Sequence, residues 1–246
     1  MGLARPARGT VAALAICLLA SLMLGGCTGA RHAGRTDDPS AAQQQVNSAL
    51  TALERLDKER SVPPFASYLR KARGVVIFPS LYKGSYIVGM EGGNGVMLAR
   101  SADGSWTAPA FITMADLSVG LQAGGQVSTV MLILMDQRYL DAALKDGLTL
   151  NADISAALGP TGHSGQIDYA THTRGIIYVA FTQGLAFSMA LEGGTIAINN
   201  DRNLSYYGLG VTPAEIISGK VDNSGSLALR NRLAEMATGT EESGIK

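Results

Sequence analysis

The sequence predicts an α+β domain: a β-rich, twisted antiparallel sheet flanked by helices at its N- and C-terminal ends. Three observations carry this. Between Gly89 and Gln126, short β-prone runs are punctuated by glycines and by an Asp103-Gly104 turn. Val127 to Met135 (VSTVMLILM) is a nearly continuous apolar run, the pattern of a strand buried on both faces. Apolar residues at helical spacing fall in Ser40 to Arg60, and a last helix is read at Leu227 to Met236.

In the glycine-rich centre, Asn94 to Arg100 reads as a strand. Asp103-Gly104 supplies a tight hairpin, because Gly takes a positive φ at little cost and Asp bonds its own backbone. Ser105 to Ile112 returns with Pro109 inside it, which predicts an edge or a bulge there, since proline donates nothing to a ladder. Gly120, Gly124 and Gly125 mark bends or close backbone approach.

The N-terminus carries an address. Arg5 and Arg8 precede an apolar run of 14 residues, Val11 to Leu24, which is short for a membrane span. A secretory signal cut at some other point and an uncleaved inner-membrane anchor are the alternatives. Against both stands Leu24-Gly25-Gly26-Cys27, which resembles the lipobox of bacterial lipoproteins. That resemblance implies a signal over 1–26, diacylglycerol on the Cys27 thiol, and acylation of the new amine. Thr28, rather than Asp, follows the cysteine, which points to the bacterial outer membrane and a domain facing the periplasm. Cys17 then leaves with the signal and Cys27 is consumed by lipid, so the mature chain of this 2-Cys protein has neither disulfide nor free thiol. The intact chain has 20 basic and 20 acidic residues, and loss of Arg5 and Arg8 takes it to −2. A balance so close to zero gives no argument for nucleic-acid binding.

Residues 27–39 read as a polar tether, the domain as 40–238, and 239–246 as a disordered tail. In Ser40 to Arg60, Val46, Leu50, Leu53 and Leu56 share one face. Such a helix either covers the sheet or lies on lipid, and the few flanking bases favour packing. Val62-Pro63-Pro64 ends it, and Phe65 to Ala72 is a second, short helix. Val75 to Phe78 begins the sheet, Pro79 to Gly84 reads as a loop, and Ser85 to Met90 returns. Beyond the apolar run come a helix over Arg138 to Lys145 closed by Gly147 and an alternating strand, Thr149 to Ala157. Strands follow over Gly175 to Phe181, Leu185 to Leu191 and Thr195 to Asn199. Thr212-Pro213-Ala214-Glu215 is a capping box with proline at the first helical position.

No catalytic constellation stands out. Gly162-His163-Ser164-Gly165-Gln166 approaches a nucleophile elbow, but the second glycine comes one position early and Ile167 to Thr173 reads as strand, not helix. His32, His163 and His172 give no ligand pair, and Gly92-Gly93-Asn94-Gly95 lacks the lysine and the context of a phosphate loop. Asp116, Asp136, Asp153 and Asp168 are scattered singly. No enzyme activity, cofactor or metal is implied. The densest mixture of basic and aromatic residues in the mature chain is Phe65, Tyr68, Arg70, Lys71, Arg73, Tyr82 and Lys83. It is read either as a lipid-contact surface or as the solvated side of a short helix and loop.

The run from Ala72 to Ile112, ARGVVIFPSLYKGSYIVGMEGGNGVMLARSADGSWTAPAFI, resembles the SYLF domain family. So do Gly120 to Gln126, Asp153 to Pro160, Thr173-Arg-Gly-Ile, Leu191-Glu-Gly-Gly-Thr-Ile and Tyr206-Tyr207-Gly208. The resemblance covers about 42 to 237. It implies a barrel-like, β-rich domain without known catalytic activity that binds phospholipid, anionic head groups above all. Eukaryotic members do so partly through an N-terminal amphipathic helix and basic residues; Ser40 to Arg60, Lys71, Arg73 and Lys83 occupy comparable places. The family's actin role is not carried over, because a bacterial envelope holds no actin. A structural role with an envelope protein partner, and lipid carriage, are the other expectations.

The elbow-like segment gives a first test. Ser164→Ala should leave any esterase activity of the purified protein unchanged, and an activity lost in that variant with the fold intact would assign it a nucleophile.

Overall fold

A computed structural model describes residues 38–58, 66–85, 88–119, 124–150, 167–171, 175–184 and 194–238; within these, 83–91, 116–126, 167–171 and 182–184 are described by backbone alone. The chain order is α1 (Pro39–Lys58), α2 (Ala66–Lys71), β1 (Gly74–Ser85), β2 (Val88–Ala99), β3 (Ala110–Val119), β4 (Gly124–Leu134), α3 (Gln137–Lys145), β5 (Leu148–Thr149), β6 (Ile167–Thr171), β7 (Ile176–Gly184), β8 (Thr195–Ile198), α4 (Asn200–Tyr207), α5 (Pro213–Ile217), a 3-10 turn (Ser224–Ser226) and α6 (Leu227–Thr238). The strands form one curled, antiparallel eight-stranded sheet in the order β5-β8-β3-β2-β1-β4-β7-β6.

Alternation along the central strands divides the core in two. Val75, Ile77, Val96, Leu98, Phe111, Met131, Ile133 and Val179 meet α1, α2 and α6 on the helical face. Val76, Phe78, Met97, Ile112, Val130, Leu132 and Tyr178 face the other way, with Leu140 and Ala143 of α3 and Ile216 and Ile217 of α5. Strands covered on both faces cannot alternate apolar and polar, which is why Val130 to Leu134 reads as an unbroken apolar run.

The apolar stripe of α1 packs on the sheet, with Val46, Ala49, Leu53 and Leu56 all buried. Each leucine so placed contributes about 1.5–3 kcal/mol. Gln45 adds a polar tie, its amide donating to the Gly95 carbonyl at 2.7 Å. α6 runs beside α1, and Arg232 of α6 pairs with Asp57.

Three expectations are corrected in the centre. Pro79 to Gly84 is not a loop: β1 continues through it to Ser85. Two of its residues, Pro79 and Ser80, stand opposite the single Thr129 of β4, and the register with β2 shifts between Ile77 and Tyr82. A one-residue bulge of this kind lets a proline sit in a strand paired on both sides. The carbonyl of Pro79 accepts the Thr129 hydroxyl at 3.0 Å. Next, Val88–Ala99 is one strand, β2, so the segment read as returning to Met90 and the strand read from Asn94 are not separate, and Ser85 belongs to β1. Finally, β3 starts only at Ala110, after Pro109, and lies between β2 and β8 rather than at an edge. The intervening segment keeps the turn read from Asp103-Gly104, with Gly104 at φ +85° and an isolated bridge between Arg100 and Trp106.

Other elements hold within two or three residues, including the α3 helix, the positive φ of Gly147 and the Thr212–Glu215 capping box. Of Thr149 to Ala157 only Thr149 is strand, in β5; Leu150 is buried but not strand, and Asn151 to Ala157, like Leu185 to Leu191, lie outside the described residues. The α4 helix went unread: Asn199 caps it by accepting from the Arg202 N–H. Its buried Asn203 exchanges hydrogen bonds with both the N–H and the carbonyl of Phe111, at 2.9 and 3.1 Å, as a neighbouring strand would.

Glycine is required on β2 where it meets the bulge. A Cβ on Gly95 would stand 2.6 Å from the Ile77 carbonyl oxygen and 2.6 Å from the Phe78 ring; one on Gly93 would stand 2.6 Å from the Ser80 carbonyl oxygen. At Gly92 the nearest atom, the Met114 carbonyl oxygen, is 3.3 Å away. Gly95→Ala should therefore destabilise by about 1–3 kcal/mol. That lowers the melting midpoint by roughly 2–4 °C per kcal/mol. Gly92→Ala should cost clearly less, and equal midpoints would show that the bulge yields.

Candidate functional site

Among the described residues, the basic and aromatic side chains singled out from Tyr68 to Tyr82 do not form one patch. α2 packs by its buried Leu69 and half-buried Tyr68 into the helical-face core, against α6. Arg70 lies on the surface and donates to the Ala237 carbonyl at 3.3 Å, near the α6 C-terminus. Arg100 does the same for α2, donating to the Leu69 carbonyl at 2.8 Å while its guanidinium lies 5.3 Å from the Trp106 ring. Cations at helix C-termini are favoured by the macrodipole as well as by the bond. Lys71 and Arg73 are exposed, and the Arg73 backbone joins the base of the sheet through Leu134 and Arg100.

Tyr82 stands at the other end of β1 and is 60% exposed. Nine residues of strand separate it from Arg73, about 30 Å at the usual rise. Lys83 continues the strand beyond it, with its side chain outside the described residues, as are Phe65 and Cys27. The separation follows from the bulge: a loop at Pro79 to Gly84 would have folded Tyr82 and Lys83 back toward α2, whereas the bulged strand carries them away.

The structure adds bases that the sequence reading passed over. Arg55 and Lys58 lie in the last turn of α1, with Arg55 5.7 Å over the Phe181 ring and Lys58 exposed. In the sequence they carry only the signal of cations closing a helix. Among the described residues Lys58, Lys71 and Arg73 make no ion pair, whereas Arg138, Arg230 and Arg232 are neutralised by Asp136, Asp222 and Asp57.

Between α1 and the bulge lies an open cleft of about 480 Å³, lined by Gln44, Asn47, Ser48, Thr51 and Arg55 on one side and Pro79, Ser80 and Thr129 on the other. Its walls offer amides, hydroxyls and a guanidinium; among the described residues no carboxylate, imidazole or thiol lines it. Such a lining can hold a polar or anionic group but supplies no nucleophile with its base. A second depression of about 430 Å³ lies between the end of α3, β8 and the start of α5.

Among the described residues no three His, Cys, Asp or Glu side chains converge as a metal site, and no helix is long and apolar enough to cross a membrane. Ser164, His163, His172 and Asp153 lie outside the described residues. Burial raises the Tyr206 hydroxyl to a pKa of about 12 and pushes Tyr207 up as well. Both therefore act as neutral donors, Tyr206 to the Gln43 side chain at 3.0 Å and Tyr207 to the Pro109 carbonyl at 2.7 Å.

The chain is 31% identical over 183 residues to the SH3 domain-containing YSC84-like protein 1 of Xenopus laevis, covering 73% of this chain and 54% of that one. The human protein of that name is 31% identical over 156 residues, 63% of this chain and 45% of its own. Protein YSC84 of Saccharomyces cerevisiae is 29% identical over 167 residues, 66% of this chain and 35% of its own. The chain thus spans about half the length, or less, of the curated relatives it matches. No solved structure matches it at a significant level. Residues 115–236 match the family described as Ysc84, Las17-binding protein actin regulator, and through them the chain is related to the Ysc84 family.

Proposed function

We propose that this chain is a lipid-anchored protein of the bacterial outer membrane whose periplasmic, SYLF-type domain binds anionic phospholipid head groups without catalysis. The observation that carries the reading is the set of exposed bases Lys58, Lys71 and Arg73, on the ends of α1 and α2 and the adjoining strand start, which make no ion pair among the described residues. Leu24-Gly25-Gly26-Cys27 supplies the anchor.

Each base near an anionic surface contributes about 1 kcal/mol and is screened by salt. Three such contacts hold a free domain only weakly. A tether changes this, because a dozen residues reach at most about 40 Å even fully extended, which makes the local lipid concentration high.

Residues Thr36–Lys246 form one compact unit. A protein beginning at Thr36 should sediment with vesicles containing anionic lipid, less so as salt rises. Changing Lys58, Lys71 and Arg73 together to Gln should weaken that binding at least tenfold, by the arithmetic of about 1 kcal/mol per base. Equal sedimentation of the two proteins at every salt concentration would sink the assignment of this surface. Independently, Cys27→Ala in the full chain should leave an unprocessed precursor or release the protein from membrane fractions. Normal processing together with membrane retention would remove the anchor.

A second reading has its own support. The matching family is described as binding a protein, Las17, and its matched segment begins at residue 115, after α1 and α2. On that reading β3 to α6 carry an interface for an envelope protein. Retention of such a protein on the immobilised Thr36–Lys246 unit, undiminished in the triple Gln variant, would favour it.

A further inference from the structure

We propose that the turn at Leu209 is a wedge that enters the acyl region of the bilayer, at the end of the domain where the anchored chain arrives. The inference rests on the lipid-anchor reading and names the surface that the anchor presses against lipid.

Leu209 is 90% exposed and Leu204, in the helix just before it, is 41% exposed. Single exposed leucines are ordinary on protein surfaces, but this one is displayed by its backbone. Gly208 and Gly210 on either side both have positive φ, +88° and +85°, and a Cβ on either would meet nothing within 4 Å. The turn therefore stands clear of the body. It is also fixed at both ends: the Gly208 N–H closes α4 on the Leu204 carbonyl at 2.9 Å, and the Thr212–Glu215 box opens α5. Within the same connection Val211 packs against the core of the opposite face, while Leu209 is turned outward.

The occupant follows from where the described chain begins. α4 packs against the first turns of α1, and the Tyr206 hydroxyl donates to Gln43 at 3.0 Å. Ten residues separate Cys27 from Asp38, where the described chain enters α1. Even fully extended, a chain of that length reaches only about 35 Å. An acylated Cys27 thus holds the N-terminal end of α1 beside the bilayer surface, and Leu209 lies only three residues beyond Tyr206. The exposed Lys58 lies at the far end of the same helix, about 30 Å along its axis. Contacts at both ends lay α1 along the surface: an apolar wedge at its start and a base at its finish.

The test uses the full chain, isolated with Cys27 acylated and placed in vesicles of mixed zwitterionic and anionic phospholipid. Mass analysis of the N-terminal peptide first establishes the acyl group; its absence would count against the anchor, and with it against the wedge as placed here. With the anchor present, an environment-sensitive fluorophore on Leu209→Cys should shift to the blue and be quenched by acyl-chain spin labels. The same dye on Gln137→Cys, exposed at the start of α3, should report water. A water-like signal at 209 in acylated protein would overturn the wedge and leave the anchor standing. A blue shift at 209 that arises without vesicles, or that acyl-chain labels fail to quench, would identify a protein contact and overturn it too. In the unit beginning at Thr36, Leu209→Ser should lower vesicle partition about tenfold, the loss expected for one buried leucine, with the salt dependence unchanged. The triple Gln variant should instead flatten the salt dependence, so the two contacts are told apart.

Discussion

The extra residue in β1 is the constraint around which the rest of the sheet is arranged. β1 is hydrogen-bonded on both sides, to β2 and β4, yet contains Pro79, which has no N–H to give. The bulge resolves this by pairing Pro79 and Ser80 with Thr129 alone. Each neighbour then meets a local demand. Thr129 supplies a hydroxyl to the Pro79 carbonyl, and Gly93 and Gly95 supply room on β2. α1 crosses over the same place, tied to the Gly95 carbonyl by Gln45, and the cleft between its polar side and the bulge follows directly.

The edge of the sheet toward β8 is held by a different device. β8 pairs with β3 only from Thr195 to Ile198, leaving Phe111 at the end of the ladder. The Asn199 N–H donates to the Phe111 carbonyl, and the side-chain amide of Asn203 bonds both polar groups of Phe111. A buried amide satisfied in this way substitutes for strand backbone. It also fixes α4 against β3, and the edge-to-face contacts of Phe111 with Tyr206 and of Tyr206 with Tyr207 complete the join. The packing of α4 on α1, and so the position of the Leu209 turn, depends on this corner.

What the sequence disclosed and what it hid follow one physical division. Features set by neighbours in sequence were legible: the apolar stripe of α1, the capping box of α5, the turn at Gly104, the both-faces burial of β4. Features set by partners across the sheet were not. Pro79 beside Ser80, Tyr82-Lys83 and Gly84 has the composition of a loop, and only Thr129, 50 positions away, makes it a strand. α4 has the polar composition NDRNLSYY, and what selects it is the contact of Asn203 with Phe111, at a separation of 92. The misreading of the bulge carried over to the site. Treating 79–84 as a turn gathered Arg73, Tyr82 and Lys83 into one surface, and the continuous strand separates them. The cations of α1 were visible as residues, but their lack of acidic partners belongs to the folded surface.

The segment matching the Ysc84 family, 115–236, is not a folding unit by itself. It contains β4 and the greater part of the sheet's two flanks, but only the end of β3. β1 and β2 lie between β3 and β4. Cut at 115, the sheet would lose its two central strands, and α6 would lose the partners that bury Leu229, Leu233 and Met236. The smallest body with an intact core therefore includes α1, α2 and the bulged β1, in keeping with the compact unit from Thr36 onward. A surface on α1 and α2 and a surface on the matched segment consequently share one core. A substitution that loosens the bulge would weaken both together. Exposed positions such as Lys71, Arg73 and Leu209 touch neither core, and so they separate contact from stability.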